Sequence, residues 1–341
     1  MAARKKPTIA RELAPEWLDW IVENLLAGAS PSDVRRALQG NGVPAARARA
    51  AVSDLTRPTA LRALRRVHRT RMQYATMARL GATLRTAAPK AIERVEDVEA
   101  DAFFSRYFAG NTPVVITGRV RRWRAVGLWS PAYLRRELGR VRVRYVEGRE
   151  REVDFDMKTP QLTKTTTLGA YATKVERARP GNDLYLVAQN RNMDLPAMQR
   201  LWDDVEVPVD LVDPAHAKGA VAFWFGPGGT VTPLHHDTCN ILFCQVYGQK
   251  RLVLVPPQET FLLRGARSMY AALDPEHPDL QRFPEWSTAS VFEVVLDPGD
   301  ALFIPVGWWH QVRSLSVSIN LAFANFRAPN NFDWYRPGDF V

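Results

Sequence analysis

The chain has 341 residues and a hydrophobic fraction of 46%, which is ordinary for a packed globular protein. It has no apolar run of about 18 residues and no apolar N-terminal leader, so the sequence predicts a cytoplasmic protein without a membrane span. Two cysteines, Cys239 and Cys244, are too few for a disulfide framework.

Three short helices are predicted within residues 1–56. Gly28 and Gly42 are suitable helix ends because glycine adopts a positive φ without strain, while Ser30 and Pro44 are suitable helix starts. Residues 1–56 are therefore predicted to form a small helical bundle, for which the sequence indicates no chemistry of its own.

Positive charge is concentrated in the first quarter of the chain. Residues 1–90 contain 17 Lys and Arg against 6 Asp and Glu, a net charge of +11, so residues 91–341 carry −1 of the total of +10. Residues 57–90 hold nine basic residues and no acid, and are predicted to form a basic connecting helix. Its apolar stripe consists of Leu61, Leu64, Tyr74, Met77, Leu80 and Leu84. Two interpretations stay open: the stripe packs on the following domain, or the helix binds nucleic acid or an acidic partner.

The composition changes after residue 90. Short runs rich in Val, Ile, Phe and Tyr are separated by Gly, Pro and Asp, and helical periodicity is sparse after Ala220. Examples of these runs are PVVITG, AVAFWFG, ILFCQVYG, VFEVVLDPGD and ALFIPVG. Such a pattern favours antiparallel sheets over a parallel α/β sheet. Residues 91–341 are predicted to form one mainly β domain of jelly-roll type with helical additions.

The segment TPLHHDTCN, residues 232–240, carries candidate ligands for a metal ion. Alternate side chains of a strand share a face, so His235 and Asp237 are expected to point the same way and His236 the other way. A third ligand is available from His310, 73 positions after Asp237. Two histidines and one carboxylate suit non-haem Fe(II), and they also suit Zn²⁺. A polar strand end without a metal is the remaining alternative.

Lys250 supplies a second signal, 13 positions after Asp237. A lysine in a strand is most often an exposed edge charge. The flanking runs ILFCQVYG and RLVLVPP are apolar enough to be buried on at least one face, and a buried ammonium requires an anionic partner. The sequence therefore predicts an anion site near the candidate metal ligands.

From about Ile92 onwards the sequence resembles the JmjC family of Fe(II)- and 2-oxoglutarate-dependent oxygenases, in the cupin-like branch that includes the asparaginyl hydroxylase of the hypoxia response. The motif positions that carry the resemblance are Thr232, His235, Asp237, Gln245, Gly248, Lys250, Pro256, Pro257 and the run Gly307-Trp308-Trp309-His310. The segments NTPVVITG (111–118) and WSPAYLRRELG (129–139) are similar as well. The family's double-stranded β-helix is therefore the expected core, preceded by an N-terminal α-helical region.

The resemblance also implies roles for single residues. The residues that would bind Fe(II) are His235, Asp237 and His310. The residues that would contact the cosubstrate 2-oxoglutarate are Lys250, Thr232, Tyr185, Asn320 and Asn240. The third reactant would be O₂. Where the asparaginyl hydroxylase has a tryptophan this chain has Ala322, so the substrate side of the pocket is expected to differ.

The activity implied by the resemblance is hydroxylation of a side chain in a peptide or protein, because the His-x-Asp form is similar to the hydroxylase branch. Three alternatives stay open: an N-methyl demethylase, an oxygenase acting on a nucleic-acid-associated substrate, and a non-catalytic metal-binding cupin regulator. Trp224, Trp308 and Trp309 are expected either to form walls of the site or to fill the core. The loop at 264–286 either covers the substrate groove or is purely structural.

Overall fold

The computed structural model describes residue 13, residues 15–56, 58–85, residue 87, and residues 91–262 and 269–333. The chain separates into two compact units, residues 1–80 and residues 81–341. Across the described ranges, every helix is too short or too polar to serve as a membrane span.

The first unit contains the helices predicted in the N-terminal segment. They are α1 (Pro15–Leu26), α2 (Pro31–Gly40) and α3 (Ala45–Leu55). Helix α2 begins where the hydroxyl of Ser30 accepts a hydrogen bond from the backbone N–H of Asp33, and Pro31 occupies its first turn. The small core that these helices share consists of Ile21, Leu25, Val34, Leu38, Val43, Ala48 and Val52. The N-terminal α-helical region is therefore confirmed.

Helix α4 (Pro58–Arg85) is the predicted basic helix, and the boundary between the two units lies within it. Tyr74, Met77 and Leu84 of the apolar stripe are exposed, and the side chain of Leu61 lies outside the described part. The three-part division at residues 56 and 90 and the packing partner of the stripe stay predictions.

The second unit opens with alternating short strands and helices. They are β1 (Glu93–Val95), α5 (Ala100–Ala102), β2 (Val114–Ile116), α6 (Arg124–Leu128), α7 (Pro131–Leu138), β3 (Arg142–Glu147), α8 (Thr159–Leu162), β4 (Thr163–Thr167), α9 (Leu168–Arg177) and β5 (Leu184–Tyr185). Strands β4, β3 and β5 form a three-stranded sheet in that order. This sheet brings Tyr185 towards the main core, where Leu186 forms a bridge with Phe225.

Eight further strands form the core of the second unit. They are β6 (Val221–Gly226), β7 (Val231–His235), β8 (Ile241–Tyr247), β9 (Lys250–Val255), β10 (Phe292–Leu296), β11 (Ala301–Ile304), β12 (Trp309–Ser314) and β13 (Ser318–Phe323). One sheet has the order β1-β2-β11-β8-β13-β6 and the other β10-β9-β12-β7. All neighbouring strands in these two sheets are antiparallel except the parallel pair β1 and β2. Two facing sheets of this kind bury continuous apolar runs between them. The predicted mainly β fold with a double-stranded β-helix core is confirmed.

Strand β7 contains a bulge that determines which of its side chains face the interior. His310 of β12 lies opposite His235, and Val312 lies opposite Thr232. The two residues of β12 are two positions apart, whereas their partners on β7 are three positions apart. Two residues of β7, Pro233 and Leu234, therefore oppose one residue of β12. Because His310 and Val312 share a face, Thr232 and His235 share that face too, although regular alternation would separate them.

Candidate active site

The structure brings the three candidate metal ligands together at one end of the cavity between the two sheets. Nε2 of His310 lies 3.4 Å from Oδ2 of Asp237, and Nε2 of His235 lies 3.9 Å from the same oxygen. Two ligands that each lie 2.0–2.2 Å from one ion would be about 3 to 3.6 Å apart at angles near 90 to 110°. The 3.4 Å separation falls within this range and the 3.9 Å separation slightly exceeds it. All three donor atoms lie within 4.8 Å of one another, so a small adjustment of the side chains would let them share one ion.

Both histidines present their Nε2 atoms to this point in the form that binds metals. Nδ1 of His235 is 2.8 Å from the carbonyl of Pro233, and Nδ1 of His310 is 3.0 Å from the carbonyl of Trp308. A carbonyl only accepts, so Nδ1 carries the hydrogen and Nε2 keeps its lone pair. Burial and the neighbouring His235 lower the pKa of His310 to about 4, so this imidazole is neutral at physiological pH.

A cavity of about 150 Å³ joins the candidate metal ligands to Lys250. Its inner wall is largely apolar, and Ala322 leaves space on one side. The lining residues include Tyr185, Trp224, Thr232, Ile241, Phe243, Ile304, Val312 and Ala322. Lys250 lies opposite Ser314 of β12. Ser314 is four residues from His310 on the same face, so the backbone positions of Ser314 and His310 are about 14 Å apart along the strand. The cavity is thus a short slot with a metal-binding end and a cationic end.

Lys250 is completely buried at the cationic end. Its ammonium donates to the hydroxyl of Tyr185 and to Oδ1 of Asn320, at 2.7 Å in each case. The rings of Tyr185, Trp224 and Phe243 surround it at 5.3 to 5.9 Å. Both hydrogen-bond partners that the described residues supply are neutral, and Nδ2 of Asn320 is buried there without a partner. A buried cation and an unused donor fit a carboxylate ligand that the described residues do not provide.

Burial also lowers the pKa of Lys250 to about 7 from an ordinary value of 10.5, and this gives a prediction for the protein without metal or cosubstrate. Between pH 7 and 10.5 the unfolded chain binds a proton that the folded chain does not, so the free energy of unfolding rises with pH. The slope is up to about 1.4 kcal/mol per pH unit. Lys250→Met removes this contribution. The variant should therefore be more stable than the wild type at pH 7, by a margin that shrinks towards pH 10 in urea unfolding experiments. A margin independent of pH would contradict the lowered pKa.

One of the predicted cosubstrate contacts is corrected by the structure. Asn240 is buried, but its side chain faces the turn that precedes β12 rather than the cavity. Its Oδ1 accepts from the backbone N–H of Val306, and its Nδ2 donates to Oδ1 of Asn330. Both ends of the amide are therefore engaged. We infer that Asn240 holds the neighbouring chain segments together and does not contact 2-oxoglutarate.

The other predicted residues near the motif divide between wall and core. Trp224 lines the cavity, whereas Trp308 packs in the core beneath one sheet and donates Nε1 to Asn111. Trp309 is buried with its ring 4.8 Å from that of His236. His236 therefore points away from His235 and Asp237, as the alternation predicts.

Several residues of this site were missing from the sequence-based prediction. Met269 and Tyr270, in the loop at 264–286, line the cavity, and the Tyr270 ring stacks on His235 at 5.7 Å. Gln189 lies at the exposed end of the cavity. Arg149 is buried beside Tyr185. No motif or periodicity marks these positions, since their proximity arises only from the fold.

Comparison with known proteins agrees with this geometry. A family model described as the cupin-like domain matches residues 100–335, more than two thirds of the chain. The chain belongs to the JmjC, cupin-like family. Lysine-specific demethylase 8 of Danio rerio is 33% identical over 242 residues, which are 69% of this chain and 58% of that protein.

The names of other relatives do not agree on one activity. Bifunctional peptidase and (3S)-lysyl hydroxylase JMJD7 of Homo sapiens is 26% identical over 251 residues, covering 65% of this chain and 79% of that protein. HSPB1-associated protein 1 of Bos taurus is 43% identical over 108 residues, or 28% of this chain and 22% of that protein. The chain spans between a half and three fifths of the length of the demethylase 8 relatives. The family resemblance is therefore confirmed, whereas the hydroxylase branch is not singled out.

Proposed function

We propose that the protein is an Fe(II)- and 2-oxoglutarate-dependent dioxygenase that hydroxylates a side chain of a peptide or protein. The observation that carries the proposal is the cavity with two different ends. Two histidines and a carboxylate converge at one end, and a buried lysine with neutral partners lies at the other. A five-carbon diacid with a keto group beside one carboxylate has the functional groups to meet both ends.

His235, Asp237 and His310 would hold the iron. Two neutral imidazoles and one carboxylate on one side of an ion leave positions open for other ligands, the arrangement associated with non-haem Fe(II) oxygenases. When bound, iron and 2-oxoglutarate supply the oxidation of an unactivated C–H bond by O₂, with succinate and CO₂ as the other products. The apolar walls would exclude water from this chemistry.

Lys250 would pair with the distal carboxylate of 2-oxoglutarate, and the hydroxyls of Tyr185 and Thr232 would donate to the same group. Burial raises the pKa of Tyr185 well above its ordinary value, so the phenol keeps its proton. A charge-assisted bond in a water-poor cavity would favour a diacid over a keto acid that lacks the second carboxylate.

The substrate would enter past Met269, Tyr270 and Gln189. Hydroxylation at carbon is the reaction we favour, and the similarity to lysine-specific demethylase 8 and to a lysyl hydroxylase supports a protein substrate. Demethylation is the second candidate, supported by the similarity to lysine-specific demethylase 8. The same oxidation of an N-methyl group would release formaldehyde, so gain of one oxygen by a peptide distinguishes hydroxylation from loss of a methyl group.

The test of the proposed function is turnover by the purified wild-type chain. With Fe(II), ascorbate, O₂ and 2-oxoglutarate we expect slow formation of succinate without a substrate, and inhibition when Zn²⁺ replaces Fe(II). The proposal would be contradicted if protein that binds the metal formed no more succinate than Fe(II) forms without the protein. That result would favour a non-catalytic metal-binding regulator.

We further propose that α4 recruits a polyanionic partner, with nucleic acid as the first candidate. Arg65, Arg66 and Arg69 are exposed, and the helix from Pro58 to Arg85 contains no acidic residue. Changing these three arginines to glutamine should weaken binding to duplex DNA and lower the slope of log K against log salt by about two to three. Fluorescence anisotropy at several salt concentrations measures both quantities.

The control for this experiment removes equal charge elsewhere. Arg121, Arg124 and Arg140 are exposed residues of the second unit, and changing them to glutamine should leave the slope closer to that of the wild type. Equal effects of the two triple variants would show a general charge effect. Binding to an acidic peptide but not to DNA would assign the helix to an acidic protein partner.

A further inference from the structure

Arg149 is a fully buried guanidinium that takes no part in the proposed metal or cosubstrate contacts. It follows Gly148, whose φ of 97° turns the chain sharply after β3. Only 1% of the Arg149 surface is exposed, and its planar head lies 4.4 Å from the ring of Phe155. Burying an arginine is costly unless its donors meet well-placed acceptors. The positions of those acceptors therefore indicate what this residue does.

The acceptors lie along the outer edge of β7. Nη2 of Arg149 donates to the carbonyl of Val231 at 2.8 Å, and Nη1 donates to Oδ1 of Asn182 at 2.9 Å. The same Asn182 oxygen accepts from the N–H of Val231 at 2.8 Å. Strand β7 is the last strand of its sheet, and within the part of the chain that the structure describes no strand pairs with this edge at Val231. Arg149 and Asn182 together replace the hydrogen bonds that such a strand would make.

The same guanidinium also supports the cationic end of the cavity. It lies 5.2 Å from the ring centre of Tyr185, whose hydroxyl accepts from Lys250. Val231 is directly followed by Thr232, and β7 ends at His235. A single side chain thus contacts the ring of Tyr185, the residue before Thr232 and the strand that carries one candidate metal ligand.

The charge of Arg149 is balanced locally. Nη2 is 3.2 Å from Oδ1 of Asp156, whose side chain is about nine tenths buried. The pair adds no net charge near Lys250, so Arg149 does not compete with Lys250 for an anionic ligand. A salt bridge of this kind contributes little stability compared with an apolar pair of the same volume. Its specific hydrogen bonds to the strand edge are what an apolar pair could not supply.

We propose that Arg149 is a positioning residue, which fixes β7 and Tyr185 so that Thr232 and the Tyr185 hydroxyl meet the distal carboxylate of 2-oxoglutarate. The part of the inference that concerns 2-oxoglutarate rests on the proposed function. The part that concerns the strand edge does not.

The experiment uses the full chain and two independent measurements. Arg149→Lys keeps the charge but cannot reach several acceptors in one plane. Arg149→Met combined with Asp156→Asn removes both charges, so that no unpaired buried charge is left. Arg151→Met is the matched control, since Arg151 is an exposed residue of the same turn. Hydrogen exchange of residues 229–236 is measured in the metal-free chain, and 2-oxoglutarate binding is measured by calorimetry with Zn²⁺ present.

We expect faster exchange at 229–236 in both Arg149 variants, with exchange unchanged in β10 at the opposite edge of the same sheet. The affinity for 2-oxoglutarate should fall by about tenfold to a hundredfold, the range for residues that orient a ligand shell. The Arg151 variant should match the wild type in both measurements. If the double variant does not fold, Arg149→Lys alone decides the result.

Two outcomes would overturn the inference. Equal acceleration of exchange in β7 and β10 would show that Arg149 has a general structural role. Faster exchange in β7 alone with an unchanged affinity for 2-oxoglutarate would show that Arg149 holds the strand edge but does not position the cosubstrate contacts. Failure of the wild type itself to bind 2-oxoglutarate would overturn the proposed function instead, and the exchange data would still test the role of Arg149 at the strand edge.

Discussion

Replacement of any one of His235, Asp237 or His310 by alanine is expected to lower succinate formation from 2-oxoglutarate by more than about a hundredfold. Mutation of residues that only support a metal's ligands already lowers metal affinity or activity by up to about a hundredfold, and loss of a ligand itself should have a larger effect. The three donor atoms converge on one point, and loss of one leaves too few protein ligands to retain Fe(II) against water. The fold should persist, because the side chains line an existing cavity and the apolar strands around it are unchanged. Succinate detection and metal content after gel filtration measure the two effects.

His216→Ala is the control for this series. Its ring is exposed and its Nδ1 contacts Asp213, so its loss removes a histidine without touching the cavity. We expect wild-type turnover and metal content in this variant. Near-normal turnover in any of the three cavity variants would show that the residue concerned is not a ligand.

Lys250→Met is expected to weaken binding of 2-oxoglutarate by about 2 to 3 kcal/mol, or roughly 30-fold to 150-fold, because it removes a charge-assisted pair inside a water-poor cavity. Methionine is one atom shorter than lysine and fills most of the same space without the charge, so the walls of the cavity are kept. Metal binding should survive, since Lys250 lies at the end of the cavity away from the candidate ligands. The 2-oxoglutarate concentration at half-maximal succinate formation and the metal content measure these effects.

Arg251→Met is the matched control for the lysine variant. Arg251 is the next residue of β9 and points to the outer face, where it pairs with Glu276 and Glu293. Its loss should leave the 2-oxoglutarate requirement unchanged. Equal weakening of metal and cosubstrate binding by Lys250→Met would mean that the lysine supports the fold rather than the ligand.

The fold could be predicted because its physical causes are local in the sequence. Apolar runs bounded by Gly, Pro and Asp mark the strands, and alternation correctly turns His236 away from its neighbours. The grouping of His235 and Asp237 with His310 and the burial of Lys250 also follow from motif spacing and apolar flanks. These signals lie within single strands or at fixed intervals along the chain.

The rest depends on contacts between distant segments. Asn240 lies close to the motif in sequence, yet Asn330 and Val306 occupy its amide, and no local pattern announces those partners. Arg149 is one of many arginines in the sequence, and only the fold places it against Val231. The joint inward orientation of Thr232 and His235 contradicts regular alternation and requires the bulge in β7.

That bulge makes the site depend on how β7 pairs with β12, and not only on which side chains β7 carries. Pro233 has no N–H to contribute to a ladder, so the strand tolerates an unpaired position there. If β7 paired regularly with β12 at its full length, without the bulge, either the Thr232 hydroxyl or the His235 imidazole would turn to the outer face. The bulge thus keeps the residues of the cosubstrate end and the metal end on one face of β7. A substitution at 233 or 234 that favoured regular pairing over the bulge would therefore uncouple the two ends, even though Thr232 and His235 themselves were unchanged.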